Sequence, residues 1–301
     1  MTSPHLSRPE IETGVLLSRH TSVKVGGPAD FFTVVNDSTT LEQAVRWALT
    51  EGVPYTILGS GSNVVVSDAG LRGLVIKNIS RGLKVWTDDE GSAVVELESG
   101  TFLPTAAKRL AAQDLAGLEW GVGIPGTAGG AVVGNAGAYG GVTNETLVEV
   151  DGLRVDGESL TVTLADLAFE YRSSSIKRGE LDLSVVLRVR HQLRREPADV
   201  IKQRISGFLS ERKRKQPTEP SVGSTFKNPP GTHAGVLIES LGLKGITVGG
   251  AMVSPKHANY VINTGDATAQ DVRTLVELVR TEVWERSGLR LETEIEFKGE
   301  W

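Results

Sequence analysis

Residues 121–141 read GVGIPGTAGGAVVGNAGAYGG, and the rest of the chain is best read outward from them. Nine of these 21 residues are glycine, against an average usage of about 7%. Glycine loses more backbone entropy on ordering than any other residue, so so dense a run needs a steric or conformational reason. Two reasons fit: positive φ in tight turns, and close approach of the backbone to a ligand. Backbone N–H groups bared in this way suit phosphate, because they offer donors without side-chain bulk. A flexible linker is the competing reading. Linkers are Gly/Ser-rich, however, and this stretch carries Val, Ile and Tyr, which it uses to bury itself.

Upstream stands a second glycine-bearing segment, Gly59-Ser60-Gly61-Ser62-Asn63, between the apolar runs 55–58 and 64–66. It offers free N–H groups, two hydroxyls and one amide, which suits a phosphate cradle; a hairpin turn is the plainer alternative. It is no Rossmann fingerprint, since position 64 is Val. Gly121, Gly123 and Gly126 formally match GxGxxG, but no buried strand precedes them and Pro125 sits inside the motif. No GxxxxGK[ST] occurs in the chain.

Around these segments, residues 1–18 read as a polar lead-in and 31–35 as a strand. A capping box at 39–42 opens a helix that Gly52 stops. Strands are expected at 74–77, 93–98, 147–155, 160–164 and 183–189, and an amphipathic helix at 103–115. The polar segment 194–197 is the best domain boundary. Beyond it, 198–215 reads as a helix ending in the basic run ERKRKQP, either a solvated face or an anchor for an anionic substrate. Residues 220–229, PSVGSTFKNP, read as a loop rich in polar groups on a fixed path, structural or chemical in purpose. A helix over 235–241, a strand over 261–263 and a helix over 269–284 follow, the last with Val272, Leu275, Val276, Val279 and Val283 on one face. Residues 291–297, LETEIEF, alternate as a half-exposed strand.

Composition narrows the function classes. At 301 residues the chain is long enough for two or three domains. A net charge of −5 argues against a nucleic-acid protein. The absence of cysteine excludes disulfides, thiolate nucleophiles, Cys-ligated zinc and iron–sulfur clusters. Five scattered histidines show no metal-ligand spacing, so no metal is expected. No apolar run spans a membrane and no signal core opens the chain, so a cytoplasmic, membrane-free protein is expected.

Taken in order, GSGSN (59–63), GIPGTAGGAVVGNAGAYG (123–140), EYRSS (170–174), QPTEPSVGSTFKNP (216–229), HANYVIN (257–263) and LETEI (291–295) resemble one family. It is UDP-N-acetylenolpyruvoylglucosamine reductase, also called UDP-N-acetylmuramate dehydrogenase, of bacterial cell-wall synthesis. The resemblance runs from about His20 to the C-terminus. It implies an α+β fold: a two-subdomain FAD-binding module of the vanillyl-alcohol-oxidase type, over 1–79 and 80–195, and a substrate domain over 196–301. It implies non-covalent FAD, with Gly59, Ser60, Gly61, Ser62 and Asn63 at the pyrophosphate. Ile124, Pro125, Gly126, Thr127, Gly130, Asn135, Gly137, Ala138 and Tyr139 would wrap the remainder. At this length the chain resembles the shorter class, which lacks an extra segment with a substrate-closing tyrosine.

The implied reaction reduces the enolpyruvyl ether of a UDP-sugar to a lactyl ether, with NADPH as co-substrate. By the resemblance, Ser224 is the proton donor, and Arg172 and Glu294 polarise the substrate carboxylate and stabilise the enolate-like charge. A fixed guanidinium helps most where charge develops, in the transition state. Lys215, Lys227, Asn228 and Tyr171 are the matching candidates for holding substrate; His257 and Asn259 receive no role. A small-molecule substrate and a monomer are expected. Two other readings stay open on sequence: a sugar or alcohol oxidase of the same flavoprotein superfamily, and a catalytically silent nucleotide-binding module. Such oxidases often tether flavin through His or Cys, and here only His5 and His20 precede the glycine-rich stretch.

Overall fold

The computed structural model describes residues 9–87 and 92–301. The first eight residues of the expected lead-in therefore lie outside the described part. Helices are α1 Ser38–Thr50, α2 Leu103–Ala111, α3 Ala128–Val133, α4 Ser175–Arg178, α5 Ala198–Lys215, α6 Ala234–Ser240 and α7 Ala269–Ser287. Strands are interleaved with them, giving the α+β class. The chain forms two compact units: 1–12, 32–60 and 73–211 make the first, and 13–31, 61–72 and 212–301 the second.

In the first unit, strand Tyr55–Leu58 pairs in parallel with residues 74–77 of strand Leu71–Asn78. Glu12–Leu16 is a strand where a polar lead-in is expected; its residues are mostly exposed, so the sequence lacks an apolar signature there. Helix α1 buries Leu41, Ala44, Val45 and Ala48 against Val35, Leu74 and Ile76. Its cap is Asp37, which accepts from the Thr40 N–H at 2.7 Å, two residues before the expected box at 39–42. A carboxylate there satisfies an orphan N–H and sets the start at Ser38.

A larger antiparallel sheet is ordered Ser159–Thr163, Leu147–Leu153, Val185–Arg195, Ser92–Glu98, Leu83–Thr87. Its core includes Val95, Leu97, Leu110, Val132, Val150, Val189 and Leu193. Strand Val185–Arg195 runs well past Val189, since His191 and Leu193 continue the buried alternation. Helix α2 stops at Ala111 rather than Leu115. Asp114 turns the chain at φ +60, and Leu115–Ala116 then pairs with Arg195 and Arg194. Leu83–Thr87 is an edge strand with little buried surface, which is why its alternation carries no signal.

The second unit is built on an antiparallel sheet ordered Ser221–Ser224, Tyr260–Asn263, Ala251–Val253, Thr247–Val248. Helix α7 covers it. Val272, Leu275, Val276, Val279 and Val283, the face read from periodicity, are all essentially buried. Each such side chain contributes roughly 1.5–3 kcal/mol of transfer free energy. Two sequence expectations fail here. Residues 221–224 are a strand, not loop, with a register irregularity where Gly223 takes φ +76. Residues 291–295 are irregular, with Leu291 and Ile295 buried and a single bridge from Thr293 to Phe226; regular pairing is confined to Glu296–Lys298, parallel to Val64–Val66.

Candidate functional site

The glycine-rich stretch is folded rather than extended. It forms a 3-10 turn at Glu119–Gly123, helix α3, and a ribbon pairing Gly137–Ala138 with Gly141–Val142. Its glycines differ in what surrounds them. At Gly123 a Cβ would meet the Tyr139 ring at 2.5 Å, at Gly129 the Ser99 Cβ at 2.8 Å, and at Gly137 the Gly141 carbonyl at 2.7 Å. Packing alone forbids side chains there. At Gly126, Gly130 and Gly134 nothing lies nearer than 3.4 Å, and none of the three has positive φ. Nothing among the described residues requires glycine at these three.

Gly59 ties the two glycine segments together: its absent Cβ would meet Thr127 Oγ1 at 2.8 Å. Thr127 caps α3 by accepting from the Gly130 N–H at 3.4 Å. Lys77 Nζ donates to the Gly59 carbonyl at 2.5 Å. Ile124 packs on the core beside Trp120, and Tyr139, at φ +53, stacks on Phe208 of α5 with ring centroids 4.6 Å apart. Ser60, Pro125, Asn135 and Ala138 are the other first-unit members of the expected set.

Tyr171 and Arg172 are the central pair of a tight turn. The Glu170 N–H donates to Ser173 O at 3.1 Å, the Ser173 N–H to Glu170 O at 3.2 Å, and Arg172 takes φ +57. The guanidinium lies 5.6 Å from the Tyr171 ring centroid, and that tyrosine is exposed. Asn135 Nδ2 donates to Glu170 O at 3.0 Å, and Ser174 Oγ to Val133 O at 2.7 Å. The expected cofactor stretch and the expected catalytic turn are thereby adjacent.

In the second unit, Ser224 ends a strand and pairs with Tyr260. The Glu294 N–H donates to Thr225 O at 2.9 Å, so Glu294 lies beside the residue after Ser224. Asn63 joins them: its Nδ2 donates to Glu294 O at 3.2 Å and its carbonyl accepts from the Glu296 N–H. Lys227 Nζ pairs with the Glu292 carboxylate at 3.2 Å, and Asn228 Oδ1 accepts from Ala234 N–H at 3.0 Å at the start of α6. Gly61, at φ +69, packs on its own unit: a Cβ would lie 2.2 Å from the His20 carbonyl oxygen. Ser62 follows it, its carbonyl 4.0 Å from where a Gly223 Cβ would stand.

Sequence reasoning gave Asn259 no role. Its Oδ1 accepts from the Phe226 N–H at 2.9 Å and its Nδ2 donates to Phe226 O at 2.8 Å, so one buried amide straps both faces of Phe226. The only sequence signal is a polar residue ahead of an apolar strand. His257 Nδ1 accepts from the Asn259 N–H at 3.2 Å. Burial, and then the nearby positive charge of Lys244, hold this imidazole below its ordinary value, with Lys215 acting in the same direction. Lys256 Nζ donates to Lys213 O, so positive charge gathers where α5 ends. Among the described residues no cluster of His, Asp or Glu could hold a metal, and no helix is long and apolar enough to cross a membrane.

Residues 29–163 match the family described as FAD binding domain, and residues 216–298 the family described as UDP-N-acetylenolpyruvoylglucosamine reductase, C-terminal domain. A UDP-N-acetylenolpyruvoylglucosamine reductase of Chloroflexus aggregans is 44% identical over 93% of this chain and 94% of its own length. One from Clostridium novyi is 40% identical, covering 98% and 94%. The crystal structure of UDP-N-acetylenolpyruvylglucosamine reductase from Thermus caldophilus superposes with a TM-score of 0.79 at 37% identity, covering 96% of this chain and 98% of that one.

Proposed function

The chain belongs to the UDP-N-acetylenolpyruvoylglucosamine reductase family, and on that premise we propose how its own residues reduce UDP-N-acetylglucosamine enolpyruvate to UDP-N-acetylmuramate in peptidoglycan precursor synthesis. The fit to FAD is supported by Gly126, Gly130 and Gly134. Neither φ nor packing within the chain calls for glycine at these positions, whereas a cofactor lying against the backbone does. Gly59, Ser60, Pro125, Thr127, Asn135, Gly137, Ala138 and Tyr139 are assigned with them to the cofactor. Gly61, Ser62 and Asn63 remain assigned to its pyrophosphate, with Gly61 owing its glycine to His20 as well. The chemistry that FAD supplies when bound is a two-electron relay from NADPH to the methylene carbon of the enol ether.

The protein's residues handle charge and protons. Arg172 meets the substrate carboxylate, on which negative charge grows as the double bond is reduced. Glu294 acts on the same group, and Ser224 delivers the proton to the neighbouring carbon. A serine is a weak acid, so it needs a carbanionic acceptor next to it and a fixed aim. The observation that carries this assignment is local: strand pairing, Asn259 and the Glu294 N–H each bond the backbone of residues 224–226. Lys215, beside His257 and Lys244, suits the substrate diphosphate, and Lys227, Asn228 and Tyr171 are assigned to substrate.

We assign residues 1–79 and 80–195 to cofactor binding and 196–301 to substrate. The protein is further proposed to work in the cytoplasm as a monomer, with FAD held without a covalent bond, so that acid precipitation releases all of the flavin. The deciding experiment adds NADPH anaerobically, then the enolpyruvyl sugar nucleotide. Flavin absorbance bleaches at the first step and returns at the second, with a lactyl ether found by mass spectrometry. FAD-loaded protein that NADPH does not bleach, or that bleaches and yields no lactyl ether, overturns the proposal.

A further inference from the structure

Only one of the two polar atoms of the Asn135 amide is hydrogen-bonded among the described residues. It is 6% exposed and adopts φ +41, a conformation that asparagine tolerates better than most residues. Its Nδ2 donates to Glu170 O, while its Oδ1 is buried with no donor among the described residues. Exchanging the two amide atoms does not relieve this, because an oxygen would then face the Glu170 carbonyl. A buried amide oxygen without a donor is costly, and native structures keep such groups rare. Here the missing donor lies beside a stretch that the family match assigns to FAD, a molecule with ring N–H, ribityl hydroxyl and adenine amino donors.

The other half of the amide is attached to the turn that carries Arg172. Two backbone hydrogen bonds close that turn, and its second central residue sits in the left-handed region. Asn135 grips it at Glu170 and Ser174 anchors it to Val133, both from the glycine-rich side. Arg178 grips it from the other side, donating to Ser173 Oγ at 3.3 Å and Ala168 O at 2.9 Å.

We infer that Asn135 is a positioning residue which couples cofactor occupancy to the setting of Arg172: Oδ1 accepts a hydrogen bond from bound FAD while Nδ2 fixes the 170–173 turn. The inference rests on reading Arg172 as the residue that meets the substrate carboxylate. It predicts an ordered assembly, in which the guanidinium is fully set only in cofactor-loaded protein.

Amide hydrogen exchange over residues 170–174 tests the coupling without reference to turnover. In the native protein, protection of the Glu170 and Ser173 N–H groups rises about tenfold or more when FAD is restored to protein stripped of it, as one added hydrogen bond allows. Asn135→Asp keeps the shape but sets an acceptor against Glu170 O; Asn135→Gly keeps the left-handed backbone and removes the amide. In both, FAD no longer raises protection, and FAD binds about tenfold more weakly. Equal protection with and without FAD in the native protein overturns the inference, and needs no variant to fold. So does a FAD-dependent rise that survives in both variants. Turnover separates the two layers. Asn135→Asp lowers kcat about tenfold in the native background and hardly at all in an Arg172→Ala background. If Arg172→Ala alone leaves kcat unchanged, the reading of Arg172 fails while the exchange result still judges the coupling.

Discussion

The glycine-rich stretch of the first unit and the Ser224 segment of the second solve opposite problems. The first makes room. Its side chains are removed wherever Tyr139, Ser99 or a backbone carbonyl would collide with them, and are absent also at Gly126, Gly130 and Gly134, where nothing collides. The second holds a short length of backbone still. Strand pairing of Ser224 to Tyr260, the Asn259 amide on Phe226 and the Glu294 N–H on Thr225 tie down the backbone of residues 224–226. A surface shaped by omission tolerates little added volume but depends on no particular hydrogen bond. A backbone strapped in this way depends on buried polar groups that must stay paired.

The largest effect separates the two at once. Ser224→Ala slows formation of the lactyl ether by about 10²–10⁴-fold, the usual worth of a positioned acid. Rapid quench measures this, while FAD content and bleaching by NADPH stay as in the native protein. Ser224→Cys recovers part of the rate. An unchanged quench rate in the alanine variant removes Ser224 from proton delivery. Next comes the strap. Asn259→Leu leaves the Phe226 N–H and carbonyl buried without their partners and destabilises the protein by about 3 kcal/mol, read from chemical denaturation. A loss below about 1 kcal/mol would mean that the amide only accompanies the strand.

Acid sharpens the contrast from the other side. His191 is buried in the large sheet of the first unit, its Nδ1 2.9 Å from Thr146 Oγ1, and burial holds its pKa at about 4 against 6.5. The folded state therefore resists a proton that the unfolded chain accepts. Its stability contribution is intact above pH 6.5 and falls as pH drops toward 4, by about 2–3 kcal/mol at the lower end. His191→Gln flattens that slope in denaturation curves at stepped pH; an identical slope would place the acid sensitivity elsewhere. The smallest effect probes space alone. Gly126→Ala leaves stability within about 0.5 kcal/mol and weakens FAD binding about tenfold, measured by flavin fluorescence titration. Unaltered FAD affinity would show that Gly126 does not face the cofactor.

Long periodic elements were legible in the sequence, and the buried face of α7 is the clearest case, because five apolar residues at helical spacing have few other solutions. The glycine segments were legible as backbone-exposing loops, and their motifs carried the family. What stayed hidden was tertiary. Glu12–Leu16 and Leu83–Thr87 bury too little to alternate clearly, and Asp114 ends α2 by a left-handed turn that composition does not announce. The glycine at position 61 reads from sequence as clearance for a ligand, yet the nearest obstacle is the backbone of His20. Asn259 and Asn135 were invisible as struts because their partners lie 33 and 35 residues away.

The pairing of Val64–Val66 with Glu296–Lys298 has a consequence for biogenesis. These strands are joined in register across most of the chain, and Asp68 similarly accepts from the Ala269 and Gln270 N–H groups at the head of α7. On a ribosome delivering roughly 5–20 residues per second, the three consecutive valines wait on the order of ten seconds for their partner strand. During that interval they form an apolar, β-branched segment with an unsatisfied edge, the kind that seeks other chains. Chaperone dependence and aggregation during synthesis should therefore track residues 64–66.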